Sequence, residues 1–189
     1  MERIIVGITG ASGSVYGLRL IDELIAAGYF VHVIVTRTGR KVVAFETGNE
    51  IKERYQHRQE TIFFEDVDDF FARPASGSYK TCGMVIIPCS MGTIGSIASG
   101  ASPNLLVRCA LVCLKEKRPL IVVPRETPYS EIDLENLLKL KRAGADIVPA
   151  SPGFYHLPKT IDELSGFLVG KVFDQLGIDH ELYKRWGEG

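Results

Sequence analysis

Two short segments combine small residues with hydroxyls in a way suited to holding an anion: Thr9-Gly10-Ala11-Ser12-Gly13 and Pro88-Cys89-Ser90-Met91-Gly92-Thr93. Glycine lets a backbone turn tightly and approach a ligand closely. Each segment ends an apolar run and precedes a helical pattern. A helix start offers free N–H groups and the positive end of the peptide dipoles, which suits a phosphate. Ser90 and Thr93 add hydroxyls to the second segment. Two such loops at neighbouring strand ends fit a mononucleotide, one taking the phosphate and the other the ribityl or ribose chain. Taken singly, each also reads as an ordinary strand-to-helix turn. The first has the spacing Gly-x-x-Gly-x-x-x-Gly, not the Gly-x-Gly-x-x-Gly of dinucleotide binders,.

A second set of residues carries charge. Arg125-Glu126 lies between Pro124 and Pro128, which stiffen the loop and fix where both side chains point,. Arg108 and Lys115 stand two turns apart on one face of a helical pattern, and Lys171 lies in a last helix. Each alone reads as a solvated surface charge. Thr36-Arg37 ends the second apolar run, where an NAD site would want an acid,. Arg37 suits a 2′-phosphate, and Tyr155-x-x-x-Lys159 has the spacing of a short-chain reductase. Pro158 falls inside that spacing, and proline in a helix interior costs ~3 kcal/mol,. Tyr155 and Lys159 are therefore not expected to share a helical face. Cys82, Cys89, Cys109 and Cys113 form no Cys-x-x-Cys pair and read as small packing residues rather than a metal or disulfide framework,. His32, His57, His156 and His180 are assigned no chemical role.

The elements that must position these residues alternate. Strands are expected at Arg3–Thr9, Phe30–Thr36, Met84–Ile87, Leu120–Val123 and Asp146–Val148. Helices are expected from Val15 to Gly28, over Lys41–Thr47, Thr93–Ala98, Asn104–Lys115 and Leu134–Ala143, and over Thr160–Leu176, opened by a Thr160-x-x-Glu163 capping box,. Ser130 and Asp133 are candidate caps for the Leu134 helix; residues 50–73 have mixed periodicity. This alternation predicts crossover units, a mostly parallel sheet and helices on both faces, with ligands beyond the carboxyl ends of the strands. The 189 residues predict one domain over 1–189,. Hydrophobic residues make up 46% and charged residues 24%, which excludes a mostly disordered chain,. Lys plus Arg number 22 against 23 for Asp plus Glu, a net charge of −1 that disfavours a nucleic-acid binder,. No apolar run reaches the ~18–20 residues of a membrane span, and no signal-peptide core opens the chain, so a cytoplasmic protein is expected.

The chain resembles the UbiX flavin prenyltransferases, relatives of the FMN-binding cysteine decarboxylases. The matching stretches include Thr9–Gly13, Tyr16-Gly-Leu-Arg-Leu20, Glu46-Thr47, Pro74-Ala-Ser-Gly-Ser78, Pro88–Ser90, Leu114–Leu120, Pro124-Arg-Glu-Thr-Pro128, Pro152-Gly-Phe-Tyr-His156 and Arg185-Trp-Gly187. They span residues 3 to 187. The cysteine decarboxylases carry a Pro-Ala-Ser-Ala-Asn-Thr type motif where this chain has Pro-Ala-Ser-Gly-Ser.

The resemblance implies a three-layer Rossmann-like (flavodoxin-like) α/β fold. It also implies a metal-independent transfer of a dimethylallyl group from dimethylallyl phosphate to N5 and C6 of reduced FMN. The product, prenylated FMN, is the cofactor of UbiD-type decarboxylases. By the same resemblance Gly10, Ala11, Ser12, Thr36, Ser90, Met91, Gly92 and Thr93 hold FMN, with Arg125 against the flavin. Ser76, Gly77, Arg108, Lys115, Tyr155 and Lys171 surround the prenyl phosphate. Ser12, Glu46 and Glu126 handle protons, and Trp186 covers the pocket. Without the resemblance, Trp186 reads as a packing residue and Glu46 as a solvated acid. Lys171 stands where relatives often have Arg; a point charge lacks the bidentate fork, so both monophosphate and diphosphate donors stay open. A homododecamer built of trimers is implied, with the site at subunit contacts; the aromatic stretch 62–71 is a candidate contact. An FMN-dependent decarboxylase and a non-catalytic flavin carrier are the alternatives. Silent substitutions at Glu46 or Glu126 would favour the carrier.

Overall fold

The computed structural model describes residues 1–187 of the chain. Its strands are β1 (Arg3–Ile8), β2 (Phe30–Val35), β3 (Ile62–Glu65), β4 (Met84–Cys89), β5 (Leu120–Pro124) and β6 (Asp146–Ile147). They form one six-stranded sheet in the order β3-β2-β1-β4-β5-β6. Every neighbouring pair is parallel. The helices are α1 (Ser14–Ala26), α2 (Arg37–Thr47), α3 (Ile51–Arg54), α4 (Met91–Ser99), α5 (Leu105–Lys115), α6 (Glu131–Arg142) and α7 (Ile161–Leu176).

The near-continuous apolar runs of β1, β2, β4 and β5 follow from burial on both faces. Ile4, Val6, Ile8, Val31, Val33, Val85 and Ile121 point to a core closed by α1 and α7. The alternate residues Ile5, Ile34, Met84, Ile86 and Val122 point to a second core under α4, α5 and α6. This is the three-layer α/β fold that the alternation predicts. No helix among the described residues is long and apolar enough to cross a membrane.

The structure corrects several boundaries. β3 lies in the stretch left unassigned by periodicity. Ile62 and Glu65 are buried while Phe63 is exposed, so the edge strand shows neither clean alternation nor an apolar run. Glu65 is inside because His32 Nδ1 lies 2.7 Å from it, and His32 Nε2 meets the Tyr79 hydroxyl at 2.9 Å. The stretch 62–71 is thus partly a strand, with Phe63, Phe70 and Phe71 outward. α6 starts at Glu131, three residues before the expected Leu134, because Ser130 and Asp133 supply both halves of one capping box,. α2 starts at Arg37 rather than Lys41, its first turn fixed by Thr36 Oγ1 accepting from Gly39 N at 3.0 Å. α4 starts at Met91 rather than Thr93, with Ser90 as its N-cap residue.

Candidate active site

The chain winds outward from β1 to β2 and β3, then returns to the other side of β1 for β4. That reversal opens a crevice beyond the carboxyl ends of β1 and β4. The two loops singled out by their glycines and hydroxyls follow these two strands. Thr9 joins them. Its hydroxyl donates to the Pro88 carbonyl at 2.8 Å and accepts from Ser90 N at 2.8 Å, and the residue is buried. Ser90 Oγ lies 3.1 Å from Thr93 Oγ1 in the first turn of α4. Thr9→Val would leave the Pro88 carbonyl and the Ser90 amide without that partner, at a cost of about 1–3 kcal/mol. Urea denaturation should show this as a lowered midpoint with unchanged slope.

Gly13, at φ 99°, turns the first loop into α1 in a conformation most side chains avoid,. The turn gives its amides to Glu46 on α2. Gly13 N lies 3.0 Å from Oε1, and Ser14 N and Ser14 Oγ lie 2.8 and 2.6 Å from Oε2. Partial burial pushes this carboxyl up, but the hydroxyls of Ser14 and Ser12 and the two amides outweigh it. The net effect holds Glu46 below its usual value, as a fixed anion at the α1 N-terminus. Just past β5, Arg125 Nε donates to the Ser12 carbonyl at 3.1 Å, which fixes the guanidinium against the same loop. Glu126 turns back on its own loop and accepts from Thr127 N at 3.0 Å.

Between the loops lies a cleft of about 300 Å³, lined by Gly10, Thr36, Ser90, Gly92, Thr93 and Asn104 among others. A larger hollow of about 820 Å³ lies along the β3 edge, lined by Met1, Arg3 and Phe30 at the amino ends of the strands. Its buried His32 and Glu65 and its half-buried Tyr79 are already paired with one another. The cleft at the strand reversal is therefore the candidate site.

The Flavoprotein family profile matches residues 1–172. A flavin prenyltransferase UbiX of Halalkalibacterium halodurans is 54% identical over 97% of this chain and 92% of its own length. The chain belongs to the UbiX flavin prenyltransferase family. A UbiX protein crystallised in complex with FMN and dimethylallyl pyrophosphate shares 34% identity and a TM-score of 0.94, covering 100% of this chain and 98% of that one. A dodecameric FMN-dependent UbiX-like decarboxylase from Escherichia coli O157:H7 shares 37% identity and a TM-score of 0.91, covering 97% and 98%.

The UbiX-type residues expected from sequence fall into three groups. Gly10, Thr36, Ser90, Gly92 and Thr93 line the cleft, and Ala11, Ser12, Met91, Glu46 and Arg125 belong to the loops and elements around it. Arg108 and Lys115 lie along α5, whose buried side packs on the second core. Arg108 Nε donates to Ala75 O at 3.1 Å, while Lys115 Nζ pairs with Glu116 at 3.2 Å. Ser76 and Gly77 stand on this side too, and Gly77 O accepts from Arg118. Tyr155, Lys171 and Trp186 belong with α7, on the opposite face of the sheet. The Tyr155 and Trp186 rings meet edge to face at 5.8 Å. The expected phosphate ligands thus come from helices that cover opposite faces of the sheet.

The reductase pattern fails as the sequence predicted: Tyr155 and Lys159 lie in an irregular segment before α7. Arg37, considered for a phosphate, pairs with Asp68 at 2.7 Å. Burial raises all four thiols, Cys113 to about 11, which fits packing residues,. Sequence reasoning missed Ser14, Asn104 and Asp174, and found Thr9 only as part of its loop. Asn104 was legible as an N-cap before an apolar helix, and its side chain does accept from Val107 N at 3.0 Å,.

Proposed function

We propose that this protein transfers a dimethylallyl group, without a metal, from a dimethylallyl phosphate to N5 and C6 of FMN in its reduced form, giving prenylated FMN. The observation that carries this is the cleft at the strand reversal with Arg125, Ser12 and Glu46 tied together at its first loop, in a chain 54% identical to a flavin prenyltransferase. The cleft fits FMN. Hydroxyls of Thr36, Ser90 and Thr93 line it, and a Cβ added at Gly92 would meet no atom within 4 Å beyond its chain neighbours and its own helix backbone. When bound, reduced FMN supplies the electron-rich N5 and C6 that accept the prenyl carbon.

The chain supplies the rest. Breaking an allylic C–O bond leaves charge on the departing phosphate. Arg108, Lys115, Lys171 and the Tyr155 hydroxyl take that charge, with Ser76 and Gly77 lining the same pocket. A preorganised donor of this kind is worth ~3–4 kcal/mol. Glu46 holds the Ser12 hydroxyl in place, and Ser12, Glu46 and Glu126 move protons near the flavin and phosphate. Trp186 offers a ring face to an allylic cation. Because α5 and α7 lie on opposite faces of the sheet, we infer that different copies supply these cations at one site, in a homododecamer built of trimers. The soluble, cytoplasmic assembly then delivers its product to a UbiD-type decarboxylase.

Anaerobic incubation with reduced FMN and dimethylallyl phosphate, without added metal, should give a flavin heavier by one C5 unit in mass spectrometry. Unmodified FMN with both the monophosphate and the diphosphate would overturn the proposal. Release of CO₂ from a peptidyl or pantothenoyl cysteine would then favour the decarboxylase reading.

A further inference from the structure

After α7 the chain folds back along it. Gly166 and Gly170 on α7 make room for it: a Cβ at Gly170 would lie 2.6 Å from the Tyr183 ring and 2.7 Å from the His180 ring. One carboxylate fastens this return. Asp174 Oδ2 accepts from the Tyr183 hydroxyl at 2.6 Å, and Oδ1 from Arg185 Nη2 at 2.9 Å. His180 Nε2 lies 3.1 Å from Oδ1. Leu182 N donates to His180 Nδ1 at 3.2 Å, so that nitrogen is an acceptor and the proton facing Asp174 sits on Nε2,. The fourth partner comes from α7 itself: Lys171 Nζ, 3.4 Å from Oδ2 and 4.8 Å from the Tyr183 ring centre. The tail fastened in this way carries Trp186 to the Tyr155 ring.

We infer that Asp174 is a positioning residue: its carboxylate holds both the Lys171 ammonium and the tail bearing Trp186, setting a phosphate ligand and a ring of the active site in one fixed relation. Hydrogen bonds to a charged group are shorter and stronger than neutral ones, so a shared carboxylate can order several donors at once. The same hydrogen bonds hold Asp174 well below the usual carboxylate range, against the upward push of its partial burial. Lys171 can turn toward a phosphate without stranding Asp174, because Tyr183, Arg185 and His180 continue to satisfy it. What the clamped groups do rests on the prenyltransferase reading; the clamp itself does not.

The test uses the full-length protein and Asp174→Asn. Trp186 is the chain's one tryptophan, so its time-resolved anisotropy reports on the tail alone. The variant should gain a fast local component in that decay. Tryptic cleavage after Lys184, followed by intact mass, should speed up about tenfold, the size expected for lost hydrogen bonds to a charged group. The donor KM should rise by a similar factor, about tenfold, while flavin affinity stays near wild type and the thermal midpoint falls by only a few degrees. Tyr183→Phe, which removes one donor and keeps the ring under Lys171, should move each readout in the same direction by less, and it decides the matter if Asp174→Asn does not fold. Wild-type anisotropy and cleavage in the variant, or a donor KM unchanged or lowered, would overturn the inference. If the wild-type protein itself transfers no prenyl group, the functional proposal falls and the anisotropy and cleavage arms still judge the clamp.

Discussion

Glu46→Gln should slow prenyl transfer by about 10²–10⁴-fold, the range of a lost proton-handling group, while the flavin stays bound. The carboxylate takes hydrogen bonds from Gly13 N, Ser14 N and Ser14 Oγ, and the Ser12 hydroxyl also turns to it. A glutamine keeps one acceptor oxygen and sets its own N–H groups against these donors. Ser12 loses its anionic partner while its carbonyl remains tied to Arg125. The cleft-lining hydroxyls of Thr36, Ser90 and Thr93 come from other elements, which is why binding survives. Single-turnover rates with pre-bound reduced FMN would separate the two effects. Transfer within threefold of wild type would remove Glu46 from the chemistry. The same substitution has a pH signature. Because the folded protein holds Glu46 below its ordinary 4.5, the group stabilises the fold above that pH and loses its contribution as pH falls through the lower folded value,. Glu46 is largely exposed, so the effect is small,. Urea midpoints between about pH 3 and pH 6 should fall less steeply in the variant than in wild type.

Legibility in the sequence followed physical locality. β1, β2, β4 and β5 were readable because double burial demands apolar runs, and α7 because Thr160 and Glu163 stand three residues apart in its capping box,. Both loops at the strand reversal were readable because their glycines and hydroxyls are contiguous. β3 was not, since what buries Glu65 is His32, 33 residues earlier. Thr9 was readable only as the start of its glycine loop; what its hydroxyl bonds is a carbonyl and an amide about 80 residues away. Arg125 was singled out by its flanking prolines, but its Ser12 partner is 113 residues distant. The expected phosphate ligands show the same limit on a larger scale. Helical spacing correctly put Arg108 and Lys115 on one helix, yet no spacing states which face of a sheet a helix covers. Only the fold places α5 and α7 on opposite sides.

Gly92→Val should weaken FMN binding by about 10–100-fold, as forcing added methyl groups into a filled site costs about 1–3 kcal/mol. The argument rests on empty space. A Cβ at Gly92 meets no atom within 4 Å beyond its chain neighbours and its own helix backbone, so packing against the rest of the chain gives no reason for a glycine there. It lies in the first turn of α4 between Ser90 and Thr93, facing the cleft they line. Gly10 differs: there a Cβ would press on Thr38 Cγ2 at 2.6 Å, so a substitution mixes lost binding with internal strain. Valine at position 92 separates them. The thermal midpoint of the flavin-free protein should stay close to wild type, because valine exceeds glycine in helix propensity by only a few tenths of a kcal/mol, about the size of the cost of its branching. Yellow colour after purification should fade, and flavin fluorescence quenching on titration should move to higher protein concentration by the same factor. A variant that stays yellow would show that the flavin lies elsewhere; one that loses colour only because it unfolds would show that the space above Gly92 is needed by the fold.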